Sequence, residues 1–336
     1  MKKILLGLSL VLLVAVFASF SQKTIISEPN SACRRSKESQ DPAVAEGYIS
    51  EAESEFFKSN YLVVKSLCAA AILITEETDP SYFEAHLLRA RANIKTGSIY
   101  TGLFYRYTID LISAYRDIQI ALQVNPDSAL ANHTMGVILN RLGETRTAGL
   151  YGIQQVFAEK ALPFFEKALL LEQADSAYLD ASAALATLSD LPRFFHNLGN
   201  VYLTLNEFSK AKGSAQAALE INEQHALGYS LLGEAEFKLR NYQEAAVALE
   251  TAIGLLSTTG LLAFNAGNRD YLNDKRLAAC YKHAADAYLA LGDGVKAQEY
   301  FEKSNSLTPF IGLIEGNELE TEISDLVWEI IGNNTP

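Results

Sequence analysis

The sequence predicts an all-α solenoid of about six stacked helix hairpins, closed by a capping helix. Three observations predict it. From residue 192 one pattern of aromatic, leucine, glycine and alanine positions recurs at a period of 34 residues. Within each unit the large apolar side chains fall three and four residues apart, which places them on one stripe of a helix. Upstream, two further segments carry the same pattern, each stretched by the same length.

The chain opens with Met1, Lys2 and Lys3, followed by an uncharged apolar run over residues 4–20 that ends in the small residues Ala18, Ser19 and Ser21. A positive start, an apolar stretch and small residues at its end make a secretory signal peptide over residues 1–21, with cleavage after Ala18 or Ser21. The other reading is an uncleaved anchor over residues 4–20, because a run of that length sits at the lower limit for spanning a bilayer. Its two lysines would then stay cytoplasmic. Either way the rest of the chain is expected outside the cytoplasm, in the periplasm or secreted. A lipid anchor would need a cysteine directly after the run, whereas Cys33 lies in the polar linker 22–44.

The 336 residues carry 28 Lys and Arg against 40 Asp and Glu, a formal charge of −12. Removing Lys2 and Lys3 makes it −14. Such a surface repels nucleic acid and anionic lipid. Cys33, Cys68 and Cys280 are too few and too scattered for a disulfide framework, although a bridge between two of them stays open. Cys68, in an Ala-rich helical run, reads as a small buried apolar residue.

The clearest unit, residues 192–223, sets the register for the others. Phe195, Leu198 and Tyr202 share a stripe, Gly199 removes a side chain where the second helix of the pair approaches, and Ala211 and Ala218 do the same from the other side. The next unit repeats it with Tyr229, Leu232, Gly233, Ala245, Leu249 and Ala252. After an extra segment, 260–277, Tyr281, Ala285, Tyr288, Ala297, Phe301, Ser304 and Pro309 form a third. Before these units lies residue stretch 176–191, a linker or extra helix.

Upstream, Met135-Gly136 with Ala161, Phe165 and Ala168 form one unit, and Leu88-Arg89 with Ala114, Ile118 and Ala121 form another. The glycine position and the first alanine stand 12 residues apart in 192–223 but 25 apart in both of these, so each holds an insertion of 13. A first unit over residues 45–78 keeps helically spaced Tyr48, Phe56, Tyr61, Cys68 and Ala71 without the Leu-Gly pair. Residues 312–336 end the chain; within them Leu319, Ile323, Leu326, Val327, Ile330 and Ile331 share a face, as in a helix that caps a solenoid.

These motifs resemble the tetratricopeptide repeat over most of residues 45–331. The resemblance implies a right-handed superhelix, with the first helix of every hairpin lining a concave groove, and a role in holding a protein partner. It also implies groove-facing side chains at the residue after the aromatic position and four residues later. Here these are His133 and Val137, His196 and Asn200, Ser230 and Glu234, and Lys282 and Asp286, with Arg141 and Arg193 nearby. Some members clamp a peptide carboxylate with Lys and Asn at these positions; His196 and Asn200 match only in part, and Glu234 and Asp286 would repel an anion there.

No metalloprotease, Cys-pair, phosphate-loop or nucleophile-elbow motif occurs, and no carboxylate pair stands out as acid and base, so neither catalysis nor a metal or cofactor is expected. The five histidines are spread about one per unit. The insertions are rich in aromatic and aliphatic residues: Tyr100, Phe104, Tyr105 and Tyr107 in 98–110, and Tyr151 and Phe157 in 148–159. Two readings fit them. They lengthen both helices of a hairpin and pack on each other, or they form an apolar lip over the groove. The expected function is therefore an exported interaction scaffold or adaptor of the cell envelope that binds a peptide or protein segment in its groove. The alternative is a periplasmic binding or transport-accessory protein with a lipophilic or small-molecule ligand near the insertions.

Overall fold

The computed structural model describes residues 42–98, 105–144, 152–176, 191–265 and 271–307. The expected signal or anchor, the stretch 177–190 and the expected capping helix lie outside the described residues. Within them are twelve helices and no strand. They pair into six antiparallel hairpins: α1 (Pro42–Phe57) with α2 (Tyr61–Ile74), α3 (Pro80–Ser98) with α4 (Tyr105–Val124), and α5 (Ala129–Gly143) with α6 (Gln154–Ser176). They continue as α7 (Leu191–Thr204) with α8 (Phe208–Ile221), α9 (Ala226–Lys238) with α10 (Tyr242–Asn265), and α11 (Tyr271–Ala290) with α12 (Gly294–Leu307).

Local chemistry starts and stops these helices. Proline, with its backbone angle preset and no N–H to satisfy, stands in the first turn of α1, α3 and α7. Asp79, Ser128 and Asp293 accept backbone N–H bonds at the entries to α3, α5 and α12, at 2.8, 3.2 and 3.0 Å.

Four hairpins turn in the same way. Ser59, Asn206, Arg240 and Gly292 adopt left-handed backbone, with φ of 64°, 60°, 66° and 83°. The next residue's N–H reaches back five residues: Asn60 to Glu55, Glu207 to Tyr202, Asn241 to Glu236 and Asp293 to Tyr288, at 2.8–2.9 Å. This double-bonded helix ending satisfies carbonyls that would otherwise be orphaned. The first unit, which lacks the Leu-Gly pair, shares it.

The two hairpins with insertions instead have longer helices. The second helices α8 and α12 have 14 residues each, whereas α4 has 20 and α6 has 23. Segment 260–277 is also largely helical: α10 runs on to Asn265 and α11 begins at Tyr271. It prolongs the hairpin edge rather than separating two units.

Small residues set the seams. A Cβ on Gly136 would meet the Phe165 ring at 2.9 Å, and one on Gly233 would meet Leu249 at 2.5 Å, each on the second helix of its own hairpin. Gly199 differs from the sequence expectation. The side chain over it is Leu231, from the first helix of the next hairpin. Ala211, Ala218, Ala245 and Ala252 are fully buried, so the facing backbones approach closely.

At the glycine position of the second hairpin stands Arg89. Its guanidinium reaches across to α4 and grips Asp117 at both oxygens, Nε to Oδ2 at 2.9 Å and Nη2 to Oδ1 at 2.6 Å. His86 Nδ1 donates to the same Oδ1 at 2.9 Å. The resulting polar knot replaces close approach with charge compensation. A second one lies nearby, where Asp110 takes Lys65 Nζ at 2.8 Å and Thr96 Oγ1 at 2.7 Å, tying α2, α3 and α4 together.

Each second helix packs on the first helix of the following hairpin, which makes the stack continuous. First helices also touch one another: α1 with α3, α3 with α5, α5 with α7, α7 with α9 and α9 with α11. Helices crowd on the inside of a curved stack and fan apart on the outside. The first helices therefore line the inner face.

Candidate functional site

Three first helices carry a histidine two residues before the Leu-Gly position: His86 on α3, His133 on α5 and His196 on α7. Their fates differ. His86 is held by Asp117, with its Nε2 buried and unpartnered and its ring edge-on to Tyr82 at 4.6 Å. His133 is buried, lies flat on Phe194 and meets Phe165 edge-on. Its Nε2 accepts from Asn197 Nδ2 at 3.1 Å. His196 accepts from Asn200 Nδ2 at 3.1 Å and stands 6.2 Å from the ring of His225.

The Asn200 amide nitrogen can only donate, so His196 Nε2 is the acceptor and the neutral ring carries its proton on Nδ1. That Nδ1 is buried and faces the Leu227 carbonyl, whereas His225 Nδ1 is buried without a hydrogen-bond partner. His225 is the residue at the start of α9, yet its side chain caps no backbone N–H. Burial lowers all three pKa values: His133 well below the usual 6.5, His196 to about 3, and His225 in the same direction. Arg193 and Arg91 add to the effect at His133, and His225, Arg276 and Arg193 at His196; the Leu227 carbonyl opposes it there. The rings are neutral at pH 7 and stand among cations.

Of the other sequence-predicted groove residues, Arg141 extends from α5 to the Ile94 carbonyl at 3.4 Å, and Arg193 is exposed on α7 beside His196 and His225. His196, Asn200 and Arg193 are thus brought together. Glu234 on α9 pairs with His283 Nδ1 at 3.6 Å. Lys282 is exposed and Asp286 half-buried on α11, and neither forms a hydrogen bond or ion pair among the described residues.

The apolar-lip residues fare differently. Tyr100, Phe104 and Tyr151 lie outside the described residues, and Tyr105 and Tyr107 are described only as members of α4. Phe157 is fully buried, with its Cβ packed over Gly143, so it fills the α5–α6 seam instead of forming a lip. Its position in the first turns of α6 aims it inward at α5.

Sequence reasoning missed Asn197, His225, Lys275 and Arg276. Asn197 is one residue past a predicted position, and His225 closes the preceding unit; the repeat register could have flagged both. Lys275 and Arg276 sit in the prolonged start of α11, outside any repeat position. No local pattern marks them. Among the described residues no group of three His, Cys, Asp or Glu is placed to hold a metal ion. Cys68 and Cys280 are both free and buried, and burial pushes their thiols up to about 12 and about 11, far from reactive thiolates.

The family profile described as tetratricopeptide repeat matches residues 192–225, the unit that set the register. Residues 192–225 are thus a tetratricopeptide repeat, and the described hairpins stack as a solenoid of that kind. The human Cell division cycle protein 16 homolog is 25% identical to this repeat protein over 175 residues, 52% of this chain. The match spans only 25% of that relative's length. Among solved structures, PilW, titled a widely conserved type IV pilus biogenesis factor, aligns with a TM-score of 0.52 at 17% identity. That alignment covers 81% of this chain and 97% of PilW. The Pseudomonas aeruginosa pilF protein aligns with a TM-score of 0.49 at 17% identity, over 85% of this chain and 98% of its own. The likeness to PilW is one of fold.

Proposed function

We propose that this repeat protein is a non-catalytic scaffold that holds a polypeptide segment against the face formed by α3, α5, α7, α9 and α11. One observation carries the reading. That continuous inner face presents a buried imidazole nitrogen without a hydrogen-bond partner, His225 Nδ1, beside His196 and Asn200. Buried polar atoms left unpaired within a fold are costly, and a bound segment that supplies acceptors removes the cost. The family's general use of such faces for peptides points the same way.

The place of action in this reading is the cell envelope after export. Lys2, Lys3 and the apolar run 4–20 support it, and PilW, of like fold, is named as a pilus biogenesis factor. No helix among the described residues is long and apolar enough to cross a membrane.

Crosslinking in the native compartment tests the function. A polypeptide should be captured by the wild-type chain and lost when Asn200 and Arg193 are replaced by Ala. Equal capture by both would exclude the inner face. Mass measurement of the chain recovered from envelope fractions tests export; recovery of an intact chain from the cytoplasm alone would refute it.

A further inference from the structure

Helix α2 stands apart from the other second helices. Its buried side, Val64, Cys68 and Ala71, packs against α1 and α3. The opposite side carries Leu62, Ser66, Ala69 and Leu73, spaced four, three and four residues apart, with Val63 and Ala70 beside them. Leu62, Val63 and Leu73 are 56%, 44% and 66% exposed, and none of the exposed residues of α2 is charged. Each other second helix exposes a charge: Arg116 on α4, Glu159 on α6, Lys210 on α8, Glu244 on α10 and Glu302 on α12. A terminal repeat normally carries a polar outer face that keeps a solenoid in solution, and the first hairpin departs from that design.

The polar side chains of α2 are already satisfied. The Ser66 hydroxyl donates to the Leu62 carbonyl one turn earlier, at 3.1 Å. Lys65, the one charged residue of α2, is drawn sideways to Asp110 on α4, Nζ to Oδ1 at 2.8 Å. Burying the stripe therefore strands no side-chain donor or acceptor. The stripe is also self-complementary. Turned end for end about a two-fold axis between residues 67 and 68, Leu62 of one copy meets Leu73 of the other, and Ser66 meets Ala69. Large side chains then flank the crossing, and the small ones at its centre let the two backbones approach. Exposed Glu77 just beyond the C-terminus of α2 favours that direction, since a parallel pair would set two such carboxylates side by side.

We infer that α2 is the seat of a two-fold, antiparallel contact between two copies of this chain, made by Leu62, Ser66, Ala69 and Leu73. Charge selects a second copy over a membrane. Around the stripe the first hairpin exposes Glu46, Glu51 and Glu53, which repel anionic lipid, while the uncharged stripe lets two acidic chains touch where neither repels the other. A helix of 14 residues, about 21 Å long, offers a small interface, so the dimer is weak and forms as concentration rises. The contact uses a second helix on the outer side of the stack. Two copies joined there keep both inner faces open and present them together, which strengthens binding to any partner that carries two matching segments.

Sedimentation of the full chain over a range of concentrations is the test. The mass should rise from one copy to two. L73E, which sets a carboxylate against Leu62 twice in every pair, should raise the dimer dissociation constant by about tenfold or more. V247E, the same change at an exposed position of α10, should leave it unchanged. Circular dichroism should show both variants folded. In a chain with C33S, S66C beside the axis should form a disulfide between copies. L62C should not, because its two copies stand about 16 Å apart along the pair. A single copy at every concentration, a dimer indifferent to L73E, equal weakening by V247E, or a bridge at residue 62 without one at 66 would each overturn the inference. Flotation with phosphatidylcholine vesicles that L73E abolishes would assign the face to a membrane and overturn it as well.

Discussion

The imidazole of His133 lies flat on the ring of Phe194, centroids 3.5 Å apart and planes 9° from parallel, so two consecutive first helices are joined through stacked rings. The stack requires a neutral, dry imidazole. Burial supplies the neutrality by lowering its pKa, and it does the same at His196 and His225.

Stability should therefore fall with mild acid. A group whose folded pKa lies below its unfolded value binds fewer protons when folded, so its contribution is complete above about pH 6.5 and is lost as pH falls toward the folded value. For His196 the window runs from about pH 6.5 down to about 3. Between pH 7 and pH 5 the His196 ring should remove about 2 kcal/mol, before most carboxylates titrate, and His133 should act in the same direction. Urea denaturation at the two pH values measures this. H196Q should flatten the dependence; an unchanged slope would show that the ring is solvated.

The pairing of Arg89 with Asp117 predicts a lopsided mutational response. D117A leaves a guanidinium and an imidazole facing each other in a seam that has little water, and should cost about 3 kcal/mol. Replacing both partners with leucine should recover most of that, since apolar groups need no compensation. Thermal denaturation of the single and double variants decides the matter. A double variant no better than D117A would mean that the ion pair is worth more than its desolvation.

The four shared turns predict opposite signs for similar changes. Arg240 holds left-handed backbone at φ 66° with a Cβ, so R240G should stabilise by about 0.5–1 kcal/mol. Gly292 occupies the same turn position at φ 83°, and G292A should destabilise by about 1 kcal/mol. Melting temperatures of the two variants, moving in opposite directions, confirm the turn geometry; shifts of the same sign would refute it.

Most of the hairpin register is written locally, because a Leu-Gly pair, an aromatic four residues on and an alanine 12 residues past the glycine all act within one hairpin. Hence Gly136 over Phe165 and Gly233 over Leu249 follow the sequence reading. What could not be read is whatever depends on curvature. Leu231, not a residue of α8, covers Gly199, because the next hairpin is rotated onto it. The charge of Arg276 acts on His196, 80 residues earlier in the chain, which no pattern within one hairpin announces. The mismatch at Arg89 hid a compensation 28 residues away in Asp117. Likewise His133 sits at a position where the resemblance implies a groove-facing side chain, yet Phe194 and Phe165 enclose it.

Two glycines in the same region separate packing from propensity. Nothing lies within 4 Å of the Cβ that an alanine would add at Gly213, in the middle of α8, so G213A should stabilise by about 0.5–1 kcal/mol through helix propensity alone. At Gly199 the same methyl group would run into Leu231, which is nearly fully buried and cannot swing into solvent. G199A should therefore cost about 1–3 kcal/mol despite the same gain in propensity. The companion change A252F, in a seam where Ala252 is fully buried, should fall in the same range. Guanidinium denaturation of the three variants reads the difference directly. If G199A were as stable as G213A, the α7–α9 contact would be loose, and the face that brings Arg193, His196 and His225 together would lack the rigidity to hold a partner.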